Sequence, residues 1–396
     1  MDPLWENTSK FILLPELKLI NHWQQDTYRN NYRCVKESSF EVCPKCATKA
    51  YSVHDRRWVR IKDQPIRGVG VGLWVLKRRF RCPNCKKVFT EPLNGVRKGF
   101  KTTERFRRGL KWACDNFKNL KRVQKAYSCS SWLCHKVFYE RLELKHRERK
   151  NDCWGKTLGI DEHTWKKRQG NKRQTEFASL IVDYDRKRIA EVVNGKTVES
   201  LKDQLSYIPG RERVEEVTID MCDPFKKFVR EFFPNAKLTA DKFHVLRLTT
   251  PMINKARIEI TNDKRSNPVR KLLLRNRKKL KYFEKSALDV WLESYPKMKE
   301  IYWYKESLYQ LYRTKGFDRA SVALTNLTDK MARSILPEIK KLRRTLMKWR
   351  KEILHYFKTG LTNARTEGYN RLAKGEQYSS FGVRSFNNYR LRLLNI

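Results

Sequence analysis

Three acids and four cysteines are the residues of this chain best suited to chemistry. Asp161 lies in LGIDEHTW, Asp220 in VTIDMCDPF and Glu367 in NARTEGYNRLAK. Carboxylate oxygens are hard ligands of the kind that Mg²⁺ or Mn²⁺ takes. Two such ions roughly 3.5–4 Å apart stabilise both the entering and the leaving oxygen of an in-line displacement at phosphorus. The cysteines are Cys43 and Cys46 in CPKC, and Cys82 and Cys85 in CPNC. Four thiolates complete a tetrahedral zinc site and leave no open position, so that site would be structural rather than catalytic. Cys34 is a possible extra ligand, although a lone cysteine usually behaves as a small apolar side chain.

The elements that must position these groups follow from the pattern around them. Each CxxC pair carries proline after its first cysteine, Pro44 and Pro83, and 35 residues separate Cys46 from Cys82. The approach VGVGLWVLKRRFRC is apolar and β-branched, which predicts a strand leading into the second knuckle. Two knuckles of the same form read as a zinc ribbon rather than as unrelated thiol pairs. Downstream, Thr102 or Thr103 can N-cap a helix. Val123, Ala126 and Tyr127 recur at helical spacing, SCSS (128–131) breaks the run, and Trp132, Val137 and Phe138 resume it. Helix, polar turn and basic helix make a helix-turn-helix pattern, with Lys136 and Arg141 on the second helix, about 130–141, facing DNA. A plain helical hairpin fits the same residues.

From residue 151 the composition changes. Residues 151–240 hold 17 Lys/Arg and 15 Asp/Glu, a net of +2 in a chain of +45. Their pattern reads as three strands, helix, strand, helix, strand, an α/β order. TLGIDEHTW is the first strand, closed by Asp161. VEEVTIDMCD is the fourth, ending in Asp220, and NAKLTADKFHV is the fifth, ending at Asp241 and His244. Asp223 is expected to N-cap the helix that Pro224 opens. This order matches a ribonuclease H-like fold, in which the first and fourth strands are neighbours and their acids meet. Glu367, Asn370 and Lys374 fall at i, i+3 and i+7, one face of a helix. A glutamate on a helix is by itself an ordinary solvated residue, so its weight comes from the two aspartates before it. Glu162 points away from Asp161 if the strand continues, and should pair with a basic side chain.

The charge sets the partner class. Lys and Arg number 88 against 43 acids, the footprint of a polyanion binder that displaces counterions from phosphates. Hydrophobic residues make up 40%, which is against disorder throughout. No run reaches the roughly 18 apolar residues of a membrane span, and the start lacks a signal-peptide pattern. A reducing cytosol, with thiols on metal rather than in disulfides, is the expected setting.

In order along the chain, the CPxC pair, RRFRCPNCKKVFTE, the helix-turn-helix, LGIDE, VTIDMCDPFKKFVREFFPNAKLTADKFHV and NARTEGYNRLAK…FGVRSF resemble a DDE transposase of the ISL3 insertion-sequence family. The resemblance covers nearly all of the chain. It implies Asp161, Asp220 and Glu367 as a metal triad holding Mg (or Mn), and zinc on Cys43, Cys46, Cys82 and Cys85. It also implies cut-and-paste phosphoryl transfer on terminal inverted repeats. Water would cleave a transposon end, and the freed 3′-hydroxyl would then attack target DNA. Asp241 and His244 fit a further short motif of related transposases. Asp241 competes with Asp220 for the second catalytic place, and we rank it, with His244, Asn370 and Lys374, as support. Arg384 and Arg390 would face phosphates.

The fold class expected is therefore α/β: a ribonuclease H-like mixed sheet interrupted by a large all-helical insertion and preceded by a zinc ribbon and a helix-turn-helix segment. The divisions are an N-terminal extension (1–30), the ribbon (31–95), the helix-turn-helix segment (96–150), the first catalytic part (151–244), the insertion (245–362) and a C-terminal part with the Glu helix (363–396). Core packing is the first expectation for the insertion's Trp291, Trp303 and Trp349. The expected partner is double-stranded DNA, terminal repeats and target alike, bound by a homodimer or higher homo-oligomer in the bacterial cytoplasm at the nucleoid. Rival readings are a domesticated, catalytically inactive DNA-binding regulator and a zinc-ribbon nuclease acting on RNA.

Overall fold

The computed structural model describes residues 12–117, 119–149, 152–167, 175–262, 268–380 and 382–396. Residues 1–11 of the expected N-terminal extension and Phe381 of the FGVRSF motif lie outside them. The chain divides into two compact units, one comprising the residues up to Lys145 with Ser379–Gly382, the other His146–Tyr378 with Val383–Ile396.

In the first unit, strands β1 (Leu17–Asp26), β2 (Arg29–Lys36), β5 (Val53–Ile66) and β6 (Val69–Arg81) form a sheet of order β1-β2-β6-β5, with β7 (Val88–Thr90) added on β6. One face buries Leu14, Leu17, Cys34, Ile61, Leu73 and Val75. Cys34 is fully buried in that apolar cluster, which accounts for it as packing. The two-residue strands β3 (Glu41–Val42) and β4 (Lys49–Ala50) pair around the first knuckle, and β6 pairs with β7 around the second. The knuckles are built alike. Cys43 N–H donates to the Thr48 carbonyl and Cys82 N–H to that of Lys87, each at 2.9 Å. Ala47 and Lys86, each four residues after the first cysteine, both take positive φ, 56° and 58°.

Three helices follow: α1 (Glu104–Asn116), α2 (Leu120–Ala126) and α3 (Ser131–Glu148). Of the two expected caps it is Thr103 whose hydroxyl accepts from Phe106 N–H. The SCSS break falls between α2 and α3, where Ser128 has φ 45°. A further break at Asn119, whose side chain caps α2, divides the stretch before it. The last helix runs seven residues past its expected end at 141, to Glu148, because Val137, Phe138 and Leu142 continue one buried stripe.

The second unit contains β8 (Thr157–Lys167), β9 (Thr175–Asp183), β10 (Arg188–Asn194), α4 (Val198–Leu205), β11 (Glu216–Ile219), α5 (Asp223–Phe232) and β12 (Lys237–Ala240). The sheet order is β10-β9-β8-β11-β12. The first three strands form an antiparallel meander, and β11 and β12 run parallel to β8. Three expected boundaries are corrected. Asp161 does not close its strand, because β9 carries β8 on to Lys167. The strand before His244 ends at Ala240, and Asp241 instead N-caps α6 (Lys242–Arg247) through bonds from Phe243 and His244 N–H. Cys222, not Asp223, is the N-cap of α5, and Asp223 lies in its first turn, where an acid favours the helix dipole.

Helices α7 (Thr250–Thr261), α8 (Pro268–Leu274), α9 (Tyr282–Glu293), α10 (Pro296–Leu311), α11 (Phe317–Ala332), α12 (Pro337–Lys348) and α13 (Arg350–Thr359) follow. One continuous apolar cluster runs from Leu158, Ile160 and Ile219 of the sheet through Phe225 and Phe228 to Ile301, Leu324 and Leu346. The helical segment and the sheet thus share a core. Trp349 is buried and Trp291 packs against the cluster, whereas Trp303 is 45% exposed, with Arg277 5.3 Å above its ring. The sheet's other face is covered by Tyr389 and Leu393 of α15 (Phe386–Leu393), which follows α14 (Ala364–Ser379).

Candidate metal centres

In the ribbon, the sulfurs of Cys43, Cys46, Cys82 and Cys85 all lie within 4.8 Å of one another. Cys43 approaches Cys85 at 3.5 Å and Cys46 approaches Cys82 at 3.4 Å. Thiolates at ~2.3 Å from one tetrahedral zinc stand about 3.8 Å apart, so the donor set and its spacing fit that ion.

The acidic centre is made by register. Ile160 of β8 pairs with Ile219 of β11, which pairs with Ala240 of β12. The next residue on each segment is an aspartate, so Asp161, Asp220 and Asp241 stand in one row, Asp161 within β8 and the other two just past the carboxyl ends of β11 and β12, the side of an open α/β sheet where sites are placed. Asp220, Asp241 and His244 form a second group whose ligand atoms lie within 4.8 Å of one another. His244 Nδ1 is 3.0 Å from Asp220 Oδ1 and 3.1 Å from Asp241 Oδ2. Those two hydrogen bonds, Asp220's first, push the His244 pKa up to about 10. Burial, and then the negative charge of Asp220, raise the Asp161 carboxyl to about 7. Burial pushes Asp241 up too, but bonds from His244 and the Asn363 N–H outweigh it and hold Asp241 below its ordinary value. Carboxylate oxygens crowded at a buried point are hard donors that suit a divalent cation, and their charge is what draws the His244 imidazole into cationic form.

Helix α14 supplies the other wall. Asn370, 6% exposed, donates to Asp161 Oδ2 at 2.5 Å. Its carbonyl lies 2.9 Å from His163 Nδ1, and His163 Nε2 lies 2.6 Å from the Tyr389 hydroxyl. Because Asn370 gives its amide N–H to the carboxylate, its oxygen must accept from His163 Nδ1–H, and Nε2 accepts from Tyr389. Burial lowers the His163 pKa and keeps the ring neutral. Just before the helix, Asn363 is fully buried. It donates through Nδ2 to Asp220 Oδ1 (3.1 Å) and to the Ile160 carbonyl (3.3 Å), and through its backbone N–H to Asp241 Oδ1 (3.0 Å). One asparagine therefore ties β8 at Ile160 to the aspartates that follow β11 and β12. Asn363 and His163 carried no sequence signal, since neither type nor spacing marked them, although both flank residues that did.

Glu367 lies in the first turn of α14, one helical step from Asn370, half-buried and 3.9 Å from Arg371. Its carboxylate is not among the clustered ligand atoms of Asp220, Asp241 and His244. Lys374 is exposed, with its charge felt at His163. Arg384 is exposed. Arg390, expected on phosphate, instead pairs with the buried Glu191 at 2.5 Å and donates to the Tyr207 hydroxyl. In the first unit, Arg141 holds Asp115 of α1 at 2.7 Å, and Lys136 sits 3.8 Å from Glu140 and over the exposed Trp132 ring. Glu162 pairs with Lys196 at 3.1 Å, the basic partner expected of it.

A family model for ISL3-type DDE proteins, described as "Transposase", matches residues 158–393. It spans all three row aspartates, His244 and Glu367. A second, described as the zinc finger of transposases IS204/IS1001/IS1096/IS1165, matches residues 39–85 and takes in all four clustered cysteines. The transposase for insertion sequence element IS1001 of Bordetella parapertussis is 24% identical over 377 residues, covering 91% of this chain and 90% of that protein. No helix among the described residues is long and apolar enough to cross a membrane.

Proposed function

This chain belongs to the ISL3-type transposase family, and on that premise we propose that it binds the terminal inverted repeats of an insertion sequence and cuts and joins DNA by in-line phosphoryl transfer. The observation that carries the reading is the row of Asp161, Asp220 and Asp241 in one register across β8, β11 and β12, set in a chain of net charge +45. The strand order and the parallel β8–β11 pair support a ribonuclease H-like catalytic domain.

Asp161 and Asp220 are the first two Mg²⁺ or Mn²⁺ ligands in this reading, Glu367 completes the set from α14, and Asp241 and His244 support it. The ions, when bound, would polarise the phosphodiester and the attacking oxygen. The protein's own part is positional. Asn363 fixes Asp220 and Asp241, and Asn370 fixes Asp161. Carboxylates repel a phosphate, so the backbone is held by cations elsewhere, with Lys374, Arg384 and Lys136 as exposed examples. The ribbon's zinc is structural. Duplex DNA is the partner, and a homo-oligomer brings two ends together.

A supercoiled plasmid carrying the element's ends, incubated with protein and Mg²⁺, tests this. The wild type should cut at the ends. Asp161→Asn should abolish cutting while end binding persists. Full cutting by that variant sinks the assignment, and a wild type that binds ends without cutting would make the chain a regulator.

A further inference from the structure

The sheet of the first unit has one face buried in its own core and a second face of unusual composition. Residues two apart on a strand share a face. Trp23 of β1, Asn31 and Arg33 of β2, Gly72 and Trp74 of β6, and Trp58, Arg60 and Lys62 of β5 therefore stand together, opposite the cluster of Cys34, Ile61, Leu73 and Val75. The Arg33 guanidinium lies 5.4 Å from the Trp23 ring centroid and 5.5 Å from that of Trp58. This cation–π pairing holds Trp58 in place from one side. Trp58 is still 42% exposed, so an already oriented aromatic residue is open to solvent. Trp74 is fixed as well, its indole N–H donating to Asn31 Oδ1 at 3.2 Å.

Beside Trp58 is a groove of about 600 Å³, within the ~300–1,000 Å³ range of organic-ligand sites. Four cations line it, Arg57, Arg60, Lys62 and Lys101, and no carboxylate does. Among the described residues none of the four forms an ion pair with an acid. Arg60 Nε is buried without a hydrogen-bond partner, although an unmet buried donor is costly. Gly72 keeps that arrangement possible, since a Cβ there would stand 3.2 Å from Arg60 Nε and 2.5 Å from Asn31 Oδ1. Lys62 donates to the Ser128 carbonyl. Burial, and then repulsion by Arg60 and Arg29, depress its pKa despite the opposing influence of Cys129. The groove thus holds uncompensated positive charge that an anion would relieve.

We propose that this face is a seat for unpaired DNA, with backbone phosphates in the Arg57–Lys101 groove and a base stacked on the open face of Trp58. A flush duplex hides its base faces inside the stack, whereas an unpaired strand offers both π-faces and phosphates. The proposal rests on the reading of the chain as a DNA-handling transposase. It involves no residue of the acidic centre, so its failure and failure of the cleavage reading are separate results.

The test uses the full chain and fluorescence anisotropy with two labelled probes, a short thymidine strand and a blunt two-strand duplex of equal phosphate number. Trp58→Ala should weaken the single strand by about 5- to 150-fold and leave the duplex unchanged. Trp58→Phe should recover most of the loss. Arg60→Gln should reduce the single-strand salt slope by about one. Zinc content and melting temperature establish that each variant is folded, and the Phe and Gln variants decide the matter should the alanine variant not fold. Equal loss on both probes, or none on the single strand, overturns the proposal. So does tighter binding of uridine RNA, equal binding of polyglutamate, or a Trp58→Ala variant that changes oligomeric mass and not DNA affinity.

Discussion

The two metal-type clusters are assembled in opposite ways. The cysteine quartet comes from two hairpin knuckles with the same backbone bonds and the same positive-φ residue. Each knuckle is a short piece of local structure, and two residues of spacing announce it. The acidic row takes one residue from each of three strands that the sequence separates by 59 and then 21 positions, and only the β8–β11–β12 register aligns them. A local site depends on its own loops and its ion. A topological site depends on everything that keeps the strands in register.

The largest effect should come from the local site. Structural zinc contributes ~10–16 kcal/mol of apparent binding free energy in small zinc-finger peptides, and the β3–β4 pair is only two residues long. Cys82→Ser, or a strong zinc chelator, should therefore release the metal and erase amide protection in both knuckles. Hydrogen exchange with metal analysis checks this. Retained protection in a zinc-free protein would mean that the ribbon folds on its apolar contacts alone.

The topological site should fail through residues outside it. Arg390 holds Glu191, which is 1% exposed, on the central sheet's edge strand β10. Arg390→Ala leaves a buried carboxylate without its cation, held only by the Tyr207 hydroxyl and the Val192 N–H, a loss of about 3 kcal/mol, or roughly 6–12 °C in the melting of a unit this size. If Arg390 instead meets phosphate, as its position in the sequence suggested, the variant should melt normally and lose DNA affinity.

A smaller and more specific effect is expected at Asn370. Asn370→Ala removes the donor to Asp161 and leaves His163 Nδ1–H without an acceptor. Loss of such an orienting partner typically costs 10- to 100-fold in metal affinity or activity. The readout is the Mg²⁺ concentration dependence of cleavage, which should shift upward, with Asn370→Asp restoring less than Asn370→Gln if the amide donor matters. An unchanged Mg²⁺ dependence would make Asn370 a packing residue only.

How much could be read from the sequence follows the same division. Cys43, Cys46, Cys82 and Cys85 were readable because their geometry is local. The strand–helix order was readable because the hydrophobic period changes where elements change. LGIDEHTW predicts a strand end at Asp161 because nothing in it shows that β9 extends further than β11. TADKFH reads equally well as a strand terminus or a helix cap, and Asp241 is the cap. Asn363 and His163 were missed because an isolated Asn or His acquires a role only from partners more than a hundred residues away. Glu367 is marked by its motif alone, and it lies one helical turn before Asn370, the residue that donates to Asp161.

The smallest effect should be at Glu162, and it discriminates most sharply, because Glu162 adjoins Asp161 in sequence. Successive strand residues face opposite sides of the sheet. Asp161 meets Asn370 in the buried row. Glu162 reaches Lys196 at 3.1 Å, with side-chain exposures of 28% and 39%. A partly exposed pair of this kind is worth at most about 1 kcal/mol. Glu162→Gln should therefore leave end cleavage near wild type and lower the melting temperature by no more than about 4 °C, while Asp161→Asn abolishes cleavage with little change in melting. Both variants replace one carboxylate by an amide within a single dipeptide, so the chemical change is the same and only its place in the sheet differs. A Glu162→Gln protein that loses cleavage would mean that charge at the strand end, rather than register, sets the site.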